Sequence, residues 1–120
     1  MKSEQKKILV VDDDPDILEV VQLLLEGEGY LTRTATEAKS IDRLLSFQPD
    51  LILLDVLLAG SDGRVISKRL KSQETTRHIP IVLMSAHVSA RATLAAAQAD
   101  DFIAKPFEVN ALLTTVQKYV

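Results

Sequence analysis

The sequence predicts an α/β fold: a five-stranded parallel sheet in the order 2-1-3-4-5 with five helices on both faces. Three observations carry that prediction. Short apolar runs alternate five times with stretches of helical spacing along the 120 residues. Four of the runs are apolar throughout, as strands covered on both faces must be. The remaining run mixes Thr and Arg with its apolar residues and therefore belongs at an edge. Alternation of this kind implies right-handed crossovers between parallel strands.

The first strand is ILVV, residues 8–11, and it runs into DDDPD, where Asp side chains and Pro15 suit the start of a helix. Ile17, Leu18, Val21, Leu24 and Leu25 then form one apolar stripe, which Gly27 and Gly29 stop. Leu31–Ala35 is the weaker edge strand. Ala38, Ile41, Leu44 and Leu45 make a second helical stripe, ended by Pro49. LILL at 51–54 is the third strand, and Val65, Ile66, Arg69 and Leu70 belong to the third helix. Residues 79–84 form the fourth strand, Ser89 caps a fourth helix over 90–98, and 102–104 form the fifth strand. Pro106 leads into a fifth helix that buries Leu112, Leu113 and Val116. No linker, repeat or low-complexity segment interrupts the pattern, so residues 1–120 are expected to be one domain with no effector domain.

Composition narrows the function classes. Hydrophobic residues make up 47% of the chain, enough for a single two-sided core. The net charge of -3, with no Lys/Arg stripe, argues against direct nucleic-acid binding and against attraction to an anionic membrane. There are no cysteines, so disulfides and thiolate metal sites are excluded, and a reducing compartment suits the chain. The amino-terminal apolar run is too short for a signal peptide, and no run approaches the roughly 20 residues of a membrane helix. A soluble, cytoplasmic protein is expected. His78 and His87 have no partner at metal-ligand spacing.

The chemistry gathers at strand ends. Asp12 and Asp13 follow ILVV, Asp55 follows LILL, Ser85 follows IVLM, and Lys105 follows DFIA. In a parallel sheet the carboxyl ends of the strands lie along one edge, and the order 2-1-3-4-5 sets Asp12-Asp13 against Asp55 where the winding reverses. Asp12, Asp13, Asp14 and Asp16 also read as helix-capping acids, which accounts for one or two of them. Asp55 has no helix immediately after it to cap. Its approach to Asp12 and Asp13 creates repulsion that a Mg²⁺ ion with an oxygen-only shell relieves. Ser85 alone reads as a strand-end hydroxyl and Lys105 as a turn lysine. Together with the metal they supply a hydrogen bond and two charges to the three oxygens of a phosphoryl group, leaving Asp55 as nucleophile.

ILVVDDDPDIL, PDLILLDVLLAGSDG, IPIVLMSA and ADDFIAKPF resemble the motifs of the receiver domains of two-component response regulators, over essentially the whole chain. The resemblance implies the flavodoxin-like receiver fold and a phosphoacceptor signalling domain, not an enzyme, although one that assists its own phosphorylation and dephosphorylation. It implies that Asp55 takes a phosphoryl group from a phosphohistidine on a sensor histidine kinase or phosphotransfer protein, with Mg²⁺. Asp13 and Asp55 would bind the metal directly with the carbonyl of Leu57, and Asp12 through water. Ser85 takes the place of the switch hydroxyl, Phe102 that of the switch aromatic, and Lys105 that of the family's lysine, with a cis bond to Pro106. Phosphorylation would then change what the fourth helix, fifth strand and fifth helix present to a downstream protein.

Ala59 stands where the family often has proline and Gln98 where it often has glycine, which predicts a differently shaped loop after Asp55 and a different end to the fourth helix. Phe102 lacks the hydroxyl of the commoner tyrosine, so switching rests on packing. Leu57 and His87 border the path of a hydrolytic water in the family; leucine cannot orient water, so slow self-dephosphorylation is expected. On the output face the fourth helix has only Arg91 and the fifth only Lys118, with few partners for Asp100 and Asp101, which predicts a monomeric or weakly dimeric domain. A haloacid-dehalogenase-type phosphotransferase, the alternative with an aspartyl nucleophile, needs a second Asp that DVLLAG lacks. A receiver-like module that is never phosphorylated is the other alternative, disfavoured because every site residue is present.

Overall fold

The computed structural model describes residues 5–86 and 90–120. Its main sheet has five strands, β1 (Lys7–Val11), β2 (Leu31–Ala35), β3 (Leu51–Asp55), β4 (Ile81–Ser85) and β5 (Asp101–Ala104). They are all parallel and ordered β2-β1-β3-β4-β5. The helices are α1 (Pro15–Gly27), α2 (Ser40–Leu44), α3 (Gly63–Ser72), α4 (Ala90–Ala97) and α5 (Val109–Gln117). No described helix is long and apolar enough to cross a membrane.

Period-two geometry explains why the central strands are apolar throughout. Ile8, Val10, Leu51, Leu53, Val82 and Met84 point to one face and pack with Leu18, Val21 and Leu25 of α1 and Leu112 and Val116 of α5. Leu9, Val11, Ile52, Leu54, Ile81 and Leu83 point to the other and meet Ile41 of α2, Ile66 and Leu70 of α3 and Ala97 of α4. Each such aliphatic side chain contributes about 1.5–3 kcal/mol by leaving water, so the sheet is the main source of stability.

Several boundaries differ from the sequence expectation. β4 begins at Ile81 rather than at residue 79, because Pro80 has no amide to donate and the Ile79 amide turns back to the Thr76 carbonyl at 3.0 Å. α2 is one short helix followed by a 3₁₀ turn, Leu45–Phe47, and it stops at Gln48, which takes a left-handed φ of 57° one residue before Pro49. Val65 is exposed and Arg69 pairs with Asp42 at 3.2 Å, so the buried stripe of α3 is Gly63, Ile66, Ser67 and Leu70. α5 starts at Val109, three residues after Pro106. Gln98 adopts φ 56°, the left-handed conformation that glycine accepts more readily, so α4 ends in that way despite its side chain. Ser89, the expected cap of α4, lies outside the described residues.

Candidate functional site

Register brings the strand-end residues together. Val11 pairs with Leu54, Asp55 with Met84, and Ser85 with Ala104, so Asp12, Asp55, Ser85 and Lys105 come out along one edge of the sheet. Backbone bonds continue past the strands and fix that edge: the Val56 amide donates to the Met84 carbonyl and the Lys105 amide to the Ser85 carbonyl, both at 2.9 Å. Asp12, Asp55 and Ser85 are buried, while Asp13 is exposed at the rim. One carboxylate oxygen from each of Asp12, Asp13 and Asp55 lies within 4.8 Å of the others.

The four acids of DDDPD divide between the two roles the sequence allows. Asp14 is the N-cap of α1 and its carboxylate accepts from the Asp16 amide at 2.9 Å. Asp12 accepts from the Asp14 amide at 2.9 Å through Oδ1, which orients its other oxygen, Oδ2, to the ammonium of Lys105 at 2.6 Å. Lys105 also reaches Asp55 Oδ1 at 3.3 Å, and its peptide bond to Pro106 is cis. Burial lowers the proton affinity of Lys105, but its hydrogen bond to Asp12 and the charges of Asp12 and Asp55 outweigh that and raise it, so it stays a cation. Asp55 is pushed upward first by burial and then by the Asp12 carboxylate, against the lowering effect of Lys105 and of the Leu57 amide at 3.4 Å. A buried carboxylate held this way is poorly solvated.

The oxygen-only donor set suits a hard divalent cation. The short Lys105–Asp12 contact makes the same point from the protein's side, since the carboxylates already draw a positive charge between them.

The loop after Asp55 contains a residue with no part in the sequence reading of the site. Leu57–Leu58 and Ser61–Asp62 form a small antiparallel ladder, turned at Gly60 with φ 73°. Asp62 then caps α3 and binds the Arg64 guanidinium at 2.8 Å, which holds its carboxyl below the usual range. Gly63 donates to the Val56 carbonyl at 2.7 Å, and a Cβ there would overlap the Asp55 carbonyl oxygen. The Asp-Gly dipeptide was the available signal, since it marks a turn ending in a helix cap.

Phe102 is half-buried on β5, Leu57 is exposed at the site mouth, and His87 lies outside the described residues. A cavity of about 680 Å³ opens at the other end of β3, lined in part by Lys7, Asp50, His78 and Tyr119, and takes no part in this chemistry.

A family model for the response regulator receiver domain matches residues 8–117. The DNA-binding dual master transcriptional regulator RpaA of Synechocystis is 35% identical over 114 residues, which cover 92% of this chain and 47% of that protein. The chain spans about half the length of the curated relatives it matches. Among solved structures, Vibrio cholerae chemotaxis protein CheY4 superposes with a TM-score of 0.89 at 26% identity, covering 98% of this chain and all of that one. The signal receiver domain of a signal transduction histidine kinase from Syntrophus aciditrophicus gives 0.86 at 34% identity, covering 95% of this chain and 89% of that one.

Proposed function

The chain belongs to the family of response regulator receiver domains, and on that premise we propose that Asp55 is its phosphoacceptor. The observation that carries this reading is the buried Asp55 carboxylate, grouped with Asp12 and Asp13 and 3.3 Å from the Lys105 ammonium. An oxygen of Asp55 attacks the phosphorus of a phosphohistidine; the new P–O bond forms as the P–N bond breaks, and the imidazole nitrogen leaves with the electron pair. Lys105 neutralises one phosphoryl oxygen and the Ser85 hydroxyl donates to another. Asp13, Asp55 and the Leu57 carbonyl would hold Mg²⁺ directly and Asp12 through water; when bound, the ion supplies charge neutralisation at the remaining oxygen. The domain thus assists its own phosphorylation without being a free-standing enzyme.

Residues 1–120 act as one receiver unit, cytoplasmic and facing a sensor histidine kinase or phosphotransfer protein on the input side. Charge added at Asp55 draws Ser85 and Lys105 inward and gives Phe102 room to turn, which alters the surface of α4, β5 and α5 offered to a downstream protein. Neither nucleic acid nor membrane is a direct partner of this unit. Incubation with Mg²⁺ and acetyl phosphate, followed by intact-mass measurement, is expected to show one base-labile phosphoryl group. Asp55→Asn should show none, and an unchanged yield in that variant would remove the assignment.

A further inference from the structure

We infer that one face of α3 forms a mechanical route from the phosphoacceptor to the far end of α4, through Gly63, Ser67 and Lys71. The inference rests on Asp55 being the phosphoacceptor. Residues four apart share one face of a helix, so these three side-chain positions lie in a row.

Each makes a different long-range contact. Gly63 sits directly on the backbone of Asp55 and Val56, with a 2.7 Å bond to the Val56 carbonyl and no room for a Cβ between them. Ser67 is fully buried and its hydroxyl donates at 2.9 Å to the carbonyl of Ala97, the last residue of α4, whose oxygen has no later helical amide to accept. Lys71 contacts Asp100 at 2.6 Å and donates to the Ile79 carbonyl at 2.8 Å; the same Asp100 oxygen accepts from the Ile81 amide at 2.8 Å. Ser67 and Lys71 therefore grip the chain on either side of Gln98, whose left-handed backbone joins α4 to β5.

A ten-residue helix is a rod about 15 Å long. A displacement of the Asp55 backbone by added charge would meet Gly63 with no side chain between them, and α3 would carry it to Ala97 and Asp100. The Ser67–Ala97 bond is a discrete contact between two packed helices, so its loss can be read separately from the packing around it.

Amide shift mapping of the intact chain, with and without Mg²⁺ and beryllofluoride, tests this. In the parent protein the ligand should shift the amides of Val56, Leu57 and Ala104, and also those of Ala97, Gln98 and Asp100. Ser67→Ala should keep the first set and reduce the shifts at Ala97 and Gln98 by about half or more. Lys71→Met breaks a separate, partly exposed contact and should do the same at Asp100, so it decides the matter where Ser67→Ala fails to fold. Unchanged shifts at Ala97 and Asp100 in these variants overturn the route. Equal loss at Ala104 overturns it too, since α3 would then act only through general stability. Absence of shifts at Val56 and Leu57 in the parent overturns the phosphoacceptor reading and this inference with it, and is recognised before any substitution is made.

Discussion

Lys105 holds Asp12 and Asp55 at once, and its shorter contact is with Asp12, so the lysine would compete with a cation bound by the same carboxylates. Lys105→Ala should bind Mg²⁺ more tightly, on the order of 5-fold at low salt, because a positive charge is removed from beside the Asp12, Asp13 and Asp55 carboxylates. Quenching or calorimetric titration with Mg²⁺ measures this; weaker binding in the variant would show that Lys105 orients Asp12 more than it opposes the metal. Leu57, 55% exposed two residues after Asp55, brings no polar group to a water. Leu57→Asn should hasten loss of the phosphoryl group on the order of 5-fold by orienting that water, read as the decay of the phosphorylated mass. Gly63 is needed for space rather than for an unusual backbone angle. Gly63→Ala should cost about 1–3 kcal/mol by forcing α3 away from the Asp55 carbonyl, checked by urea unfolding.

At the level of elements, the junction of α5 with the start of β5 contradicts the expectation that Asp100 and Asp101 have few partners. The Tyr119 hydroxyl donates to Asp101 at 3.0 Å, Lys118 reaches the same carboxylate at 3.5 Å, and Asp100 is taken by Lys71. Those pairs escape a local reading because residues at least 17 positions apart form them. Burial, then the bond to Asp101 and the nearby carboxylates, push the Tyr119 phenol up to about 12. Because the folded value is raised, the stabilising bond is fully present below the ordinary 10.0 and is lost as the pH climbs through about 12. Spectrophotometric titration should show a phenolate step near 12 that Tyr119→Phe abolishes; a curve unchanged by the substitution would place Tyr119 in water.

For the whole molecule, the same junction bears on assembly. Asp100, Asp101 and Lys118 are already paired within the chain, so they are poorly placed to form charge pairs with a second copy. Between β5 and α5 lies a groove lined by Phe102, Ile103, Ala104, Pro106, Phe107 and Ala111, with Glu108 and Thr115 as its polar members. An exposed surface of that kind gives a partner protein apolar area to bury. The phosphorylated domain should remain largely monomeric in sedimentation or light scattering, and a tight phosphate-dependent dimer disrupted by Arg91→Glu would establish the charge-paired alternative.

The layering, the strand order and the strand-end residues are legible in the amino-acid sequence. Continuous runs such as LILL declare burial on both faces, the Thr and Arg of LTRTA declare an edge, and a parallel sheet then leaves Asp12, Asp55, Ser85 and Lys105 on one side. These are local signals, read from residue type at a period of two or 3.6. That Lys105 lies closer to Asp12 than to Asp55, that α3 rests on the Asp55 backbone at Gly63, and that Ser67 fastens α3 to Ala97 follow from the folded packing alone. Such contacts join residues as many as 93 positions apart and depend on how helices close over the sheet, and no periodicity in the chain records that distance.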